Sequence, residues 1–167
     1  MGERVAAFCS WLELTPLSRQ LQTVEWVIPA IQTVHILAIA AVMGSMLFFN
    51  LRLLGLSGTE LPLDRVSRRF VPVILSAVVL LLATGVLMIA AEPARSLLNP
   101  VFQLKMALLL CALIVLWATA RPLRHRPDYW SETRARGRVV RALASVSVGL
   151  WVAIVFAGRW IAYVRIH

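Results

Sequence analysis

Four long apolar runs, separated by segments that hold most of the arginines, organise this chain. They extend from Val24 to Leu54, Phe70 to Ala91, Val101 to Ala120 and Leu143 to Val164. Each is close to or above the roughly 20 residues a helix needs to cross about 30 Å of hydrocarbon. An earlier apolar stretch, Val5 to Leu14, is shorter and is interrupted by Ser10 and Glu13. It lacks the basic region and long core of a cleavable signal. It reads instead as an amphipathic segment on the outer membrane surface, with Val5, Phe8, Trp11 and Leu12 on one face. Thr15 followed by Pro16 has the form of an N-cap and first helical position, so a new helix is expected there. Pro62 and Asp64 introduce a short amphipathic piece before the second span, and Arg121 to Arg138 reads as a polar loop. The pattern predicts an all-α fold: a single integral membrane domain over residues 1–167, built as a four-helix bundle with a short N-terminal amphipathic helix.

Composition agrees. With 60% hydrophobic and 15% charged residues and a mean hydropathy of +0.80, a water-soluble domain would lack the polar surface to cover itself. The net charge of +9 changes the picture only through its distribution. Arg52, Arg65, Arg68 and Arg69 lie in the first connection, and seven arginines from Arg121 to Arg141 in the third, against Arg95 alone in the second. By the positive-inside tendency the first and third connections are cytoplasmic, which puts both termini in the periplasm if the membrane is a bacterial inner membrane. The basic loops are also available to anionic lipid headgroups. No aromatic interleaving or fold pattern supports nucleic acid as a partner.

The candidate chemistry is sparse. His35 lies about ten residues into the first run, on the order of 15 Å down a helix, where an imidazole is costly to bury without a partner. Gln32 precedes it by three residues and shares its helix face. Pro29 is expected to remove a helical hydrogen bond and bend the helix near this level. Lys105 and Arg159 lie some five residues inside the outer ends of the third and fourth runs, roughly one and a half turns down. Three helices thus bring an imidazole, an ammonium and a guanidinium towards one level. Haem b suits such a set, because iron takes a neutral imidazole, the macrocycle needs apolar walls and the propionates need cations at the watery edge. His35 is then the axial metal ligand and Lys105 with Arg159 the propionate clamps, with Gln32 beside them.

Plainer readings stand alongside. Lysine and arginine near helix ends snorkel to headgroups or pair with acids such as Glu25 and Glu92, and a membrane histidine or glutamine often makes an interhelical hydrogen bond. Met43, Met46 and Met88 are thioethers of the kind that bind Cu(I), but methionine is also ordinary filler. Ala40, Ala41, Gly44, Ser45, Ser145, Gly149 and Gly158 read as close-packing surfaces, within the bundle or towards a partner helix. Cys9 and Cys111 lie in separate segments and form neither a disulfide nor a metal spacing. No phosphate-cradling loop, CxxC, HExxH or catalytic triad is present. His125 and His167 lie outside the spans, so one chain has no bis-histidine haem site at the level of His35.

Pro29 to Leu56, TGVLMIAAEP from Thr84 to Pro93, NPVFQLKM from Asn99 to Met106 and LWVAIVFAGRWIAYV from Leu150 to Val164 together resemble a bacterial four-span membrane family, domain of unknown function 6644. That resemblance covers nearly the whole chain and implies no particular activity. A histidine in the first helix with a lysine near the start of the third is more distantly similar to the membrane protoporphyrinogen oxidase and copper-resistance D families. The first similarity implies haem or porphyrin binding through His35 and Lys105, and the second implies copper handling. Asn50 departs from the aspartate expected in many relatives. The function expected is a haem b-binding or redox subunit passing electrons to quinone or a periplasmic partner. The alternatives are a non-catalytic accessory or scaffolding subunit, docked to another membrane protein or to a second copy, and copper transport.

Overall fold

The computed structural model describes residues 2–97 and 99–160, and every regular element among them is helical. In chain order these are α1 (Gly2–Glu13), α2 (Pro16–Thr23), α3 (Val27–Leu54), α4 (Leu63–Ala91), α5 (Pro93–Leu97), α6 (Pro100–His125) and α7 (Arg134–Trp160). Four of them, α3, α4, α6 and α7, are long and apolar enough to cross a membrane. The side chains of residues 1–6 and the last residues of the expected fourth span, 161–164, lie outside the described part.

Local chemistry sets most boundaries. The Thr15 hydroxyl accepts the Ser18 N–H at 3.4 Å and Pro16 opens α2, as expected. Asn99 caps α6 in the same way, accepting the Val101 N–H at 2.9 Å ahead of Pro100. α3 ends where Gly55 adopts φ +76°. There the Gly55 N–H reaches the Arg52 carbonyl and the Leu56 N–H reaches that of Leu51, a Schellman closure that needs a residue tolerant of left-handed backbone.

Three expectations are corrected. α3 starts at Val27, so Pro29 sits in the first turn, where no intrahelical bond is lost and the reason for a bend disappears. The piece introduced by Pro62 and Asp64 is continuous with the second span, and the proline inside that helix is Pro72. The polar stretch from Arg121 to Arg138 is mostly helix, because α6 runs to His125 and α7 begins at Arg134. In the last two cases the helices outlast their apolar runs because the inward face stays apolar: Val66, Leu123 and Val140 are buried beyond the expected span ends.

The long helices pack as two hairpins, α3 with α4 and α6 with α7, joined chiefly through α3 and α7; α4 meets α6 over the smallest surface. Core positions alternate in steps of four and three: Val42, Met46, Phe49 and Leu53 on α3, and Val140, Ala144, Ser147, Trp151 and Ile154 on α7. That is the spacing of knobs-into-holes packing. This core starts at the end of the bundle nearest the α3–α4 and α6–α7 connections, here termed the basic end, runs through the middle, and on α7 continues to Trp151 and Ile154. At the opposite end α1, α2 and α5 form a cap, tied to α4 by the Gln22 side-chain amide donating to the Ala91 carbonyl at 2.7 Å. Cys9 and Ser18 are buried in it, while the rings of Phe8 and Trp11 meet in a tilted pair with centroids 5.8 Å apart on its exposed side.

Candidate functional site

Near the cap end the core thins on α3 and α6, while α4 and α7 keep Thr84, Ala90, Ile154 and Ala157 buried. α3 has no buried residue before Ala38, and α6 has none before Ala112. His35 and Lys105 both belong to these loosely covered turns and are half-buried. His35 lies eight residues past the start of α3, and Thr84 seven residues before the end of α4. Antiparallel neighbours therefore bring the two to the same depth, about 12 Å along the helix.

The His35 Nδ1 and the Thr84 Oγ1 are 2.7 Å apart. Thr84 is buried and its hydroxyl donates to the Leu80 carbonyl one turn back, at 2.8 Å, the usual bond of a threonine inside a helix. With the hydroxyl proton on the Leu80 carbonyl, the bond to His35 runs from Nδ1–H to Oγ1. A neutral imidazole in that tautomer carries its lone pair on Nε2. Nε2 makes no hydrogen bond among the described residues. The Cε1 edge of the ring faces Gly85, 3.9 Å from where a Cβ would stand. The residue beside Thr84 thus adds no side chain against the imidazole.

Lys105 projects from the second turn of α6 towards α7, its Nζ 3.6 Å from the position a Cβ would take at Gly158. It is within electrostatic reach of His35. It makes no ion pair among the described residues, with Glu25, Glu92 or any other acid. An ammonium in such apolar surroundings is costly unless an anion comes to it. The structure thus puts Thr84 and Gly85 beside His35 on α3 and Gly158 beside Lys105 on α6, two helices that face each other across the bundle without direct contact.

Arg159 follows Gly158 in the last turn of α7 but is exposed, and Gln32 is exposed one turn above His35. Neither is a buried member of the group. Met46 is buried in the apolar core, and Met43 and Met88 are half-buried. No cluster of three or more His, Cys, Asp or Glu side chains is arranged to hold a metal ion among the described residues. Both cysteines are free thiols. Asn50, where an aspartate was expected, is buried and donates through its side-chain amide to the Ser147 hydroxyl at 3.1 Å, joining α3 to α7 inside the core. A neutral amide suits that place; a carboxylate there would be buried without a cation.

Thr84 and Gly85 were missed by sequence reasoning, although they open one of the segments that carry the family resemblance. The available signal was depth: threonine and histidine at matched distances from the ends of adjacent antiparallel helices. Among the small residues, Ser45 is buried, but Ala40, Ala41 and Gly44 on α3 and Ser145 and Gly149 on α7 face outward. Nothing lies within 4 Å of a Cβ placed at Gly44 or Gly149.

The model of one protein family, described as a family of unknown function (DUF6644), matches residues 8–164. No curated protein and no solved structure matches the chain.

Proposed function

The chain belongs to this family of unknown function, DUF6644, and from that premise we propose that it is a haem b-binding redox subunit of the bacterial inner membrane. The observation that carries the proposal is the 2.7 Å hydrogen bond between the His35 Nδ1 and the Thr84 hydroxyl; with the proton on Nδ1, Nε2 carries an oriented lone pair without a partner among the described residues. Metal-ligating histidines characteristically donate their second ring N–H to a fixed acceptor, which sets the tautomer and the ring plane. Thr84 supplies that acceptor, and Gly85 leaves the ring edge uncrowded. The thin packing of the first turns of α3 and α6 supports a planar apolar group lodged at this level. Lys105, half-buried and without an acid, suits one propionate, and exposed Arg159 at the end of α7 suits the second at the water-facing edge. Bound there, haem b supplies reversible one-electron chemistry; the protein holds it, orients it and keeps water from it. In this reading the distribution of arginines puts the basic end in the cytoplasm and the site near the periplasmic face, where quinone or a periplasmic protein exchanges electrons.

The test is an absorbance spectrum of the detergent-purified protein, oxidised and dithionite-reduced, beside His35→Ala. The expected result is a Soret peak with a reduced α-band that His35→Ala abolishes. A colourless protein from cells supplied with haem overturns the proposal. A second reading, an accessory subunit, is favoured by the outward Ala40, Ala41 and Gly44 of α3 with Ser145 and Gly149 of α7, small-residue faces of the kind that membrane helices use to dock. Stable co-purification of colourless protein with another membrane protein supports it.

A further inference from the structure

The basic end of the bundle contains a cavity of about 820 Å³, between the end of α3, the start of α4 and the α6–α7 connection. Its size lies within the roughly 300–1,000 Å³ of small-molecule sites. Arg52 reaches it from α3, and Arg134, Arg138 and Arg141 from α7. The last three recur at intervals of four and three residues, so they share one face of the first two turns of that helix. No acidic residue lines the cavity. Its inner wall is apolar, formed by Leu53, Leu63, Val140 and Trp130.

Of the other arginines at this end, Arg136 pairs with Glu132 and lies over the Tyr129 ring at 4.3 Å, Arg68 pairs with Asp64 and Arg121 lies over Trp117 at 4.7 Å, while Arg65, Arg124 and Arg126 are exposed outside the cavity lining. Arg134, Arg138 and Arg141 make no ion pair, side-chain hydrogen bond or ring contact among the described residues. They stand at the start of α7, where the helix dipole is itself positive and no acidic residue occupies the first turn. Arg52 is the exception within the cavity, held by donating to the Leu61 carbonyl at 2.8 Å, which stiffens the α3–α4 connection as one wall. Trp130 stiffens the opposite wall, its indole N–H donating to the Thr119 carbonyl at 3.0 Å. Positive charge is therefore concentrated on a pre-formed cleft with no counter-charge from the chain.

We propose that this cavity binds the phosphate headgroup of an anionic phospholipid. Guanidinium forks match phosphate oxygens bidentately. The apolar wall of Leu53, Leu63, Val140 and Trp130, at the level where the hydrophobic spans end, suits the glycerol and first acyl carbons better than a free anion. This differs from diffuse attraction of basic loops to a charged surface because it requires a saturable site and particular arginines. It is independent of the haem site at the other end.

The full chain, delipidated in a neutral detergent, is titrated with short-chain phosphatidylglycerol, with phosphatidylcholine of the same chain length and with inorganic phosphate, binding being read by microscale thermophoresis. Saturable binding of phosphatidylglycerol alone is expected. At about fivefold per arginine, R138Q/R141Q weakens it about thirtyfold, while R124Q/R126Q, in the same region but outside the cavity lining, leaves it unchanged. Equal loss in the two double variants, or no loss in either, overturns the proposal. Equally tight binding of inorganic phosphate overturns the assignment to lipid. Should R138Q/R141Q fail to fold, R138K/R141K keeps the charge and removes the forks; weaker phosphatidylglycerol binding supports the site, and unchanged binding overturns it.

Discussion

The two ends of this bundle solve different problems. At the basic end and through the middle, four helices interlock at heptad-like spacing, and a buried interhelical polar pair in the core, Asn50 and Ser147, is hydrogen-bonded. Near the cap end α3 and α6 have few buried residues, yet the imidazole and the uncountered ammonium lie on these two helices. A packed region gains dispersion contacts from every added methylene and has no use for space. A ligand site needs the reverse: polar groups held at fixed orientation beside room for something else. The difference teaches that His35 is positioned by one well-chosen hydrogen bond and not by close packing.

The largest expected contrast is in stability. Phe49→Ala removes a ring that is 1% exposed and is expected to cost about 3–5 kcal/mol. Ile36→Ala, beside His35 but 63% exposed, is expected to stay within about 0.5 kcal/mol. Reversible unfolding in mixed micelles measures both, and equal costs would erase the distinction between the ends. Next comes Thr84→Val, which removes the acceptor for the His35 Nδ1–H. Haem retention is expected to fall about 10–100-fold, as for other outer-shell partners of metal-bound histidine, with the fold intact by circular dichroism. Unchanged retention would detach Thr84 from the site. Trp130→Phe deletes the indole donor to the Thr119 carbonyl and is expected to lower stability by about 1 kcal/mol. The smallest effect is at Asn50→Ala, about 0.6 kcal/mol, the average for polar contacts between membrane helices. In a double-mutant cycle with Ser147→Ala most of that cost should disappear, and additive losses would mean that the pair does not interact.

Much of the architecture was legible because hydrocarbon imposes a length requirement that a sequence displays directly. The four spans, the N-cap at Thr15 and the all-helical class follow from apolar run length and from capping chemistry that acts over three or four residues. The ends of the helices were less legible. Apolar content per window falls at residue 63 and again after residue 120, yet one apolar face continues through Val66, Leu123 and Val140. Run length cannot detect a face. At the candidate site, His35 and Lys105 were recognisable singly, because ionisable groups inside spans are conspicuous, whereas Thr84 is an unremarkable threonine until a second helix lies beside it.

By itself, then, the sequence determined what is local or one-dimensional: the number of membrane helices, the cap at Thr15, and the sorting of arginines into alternate connections. Only the tertiary structure decided which residues, distant along the chain, share a level. It set His35 against Thr84, placed the Lys105 ammonium against Gly158, matched Asn50 to Ser147, and gathered Arg134, Arg138 and Arg141 on one cleft with no acidic lining residue. The physical reason is that hydrogen bonds and ion pairs act over a few ångströms, so their partners depend on helix rotation and register, which are settled by packing between helices and are encoded in no single segment.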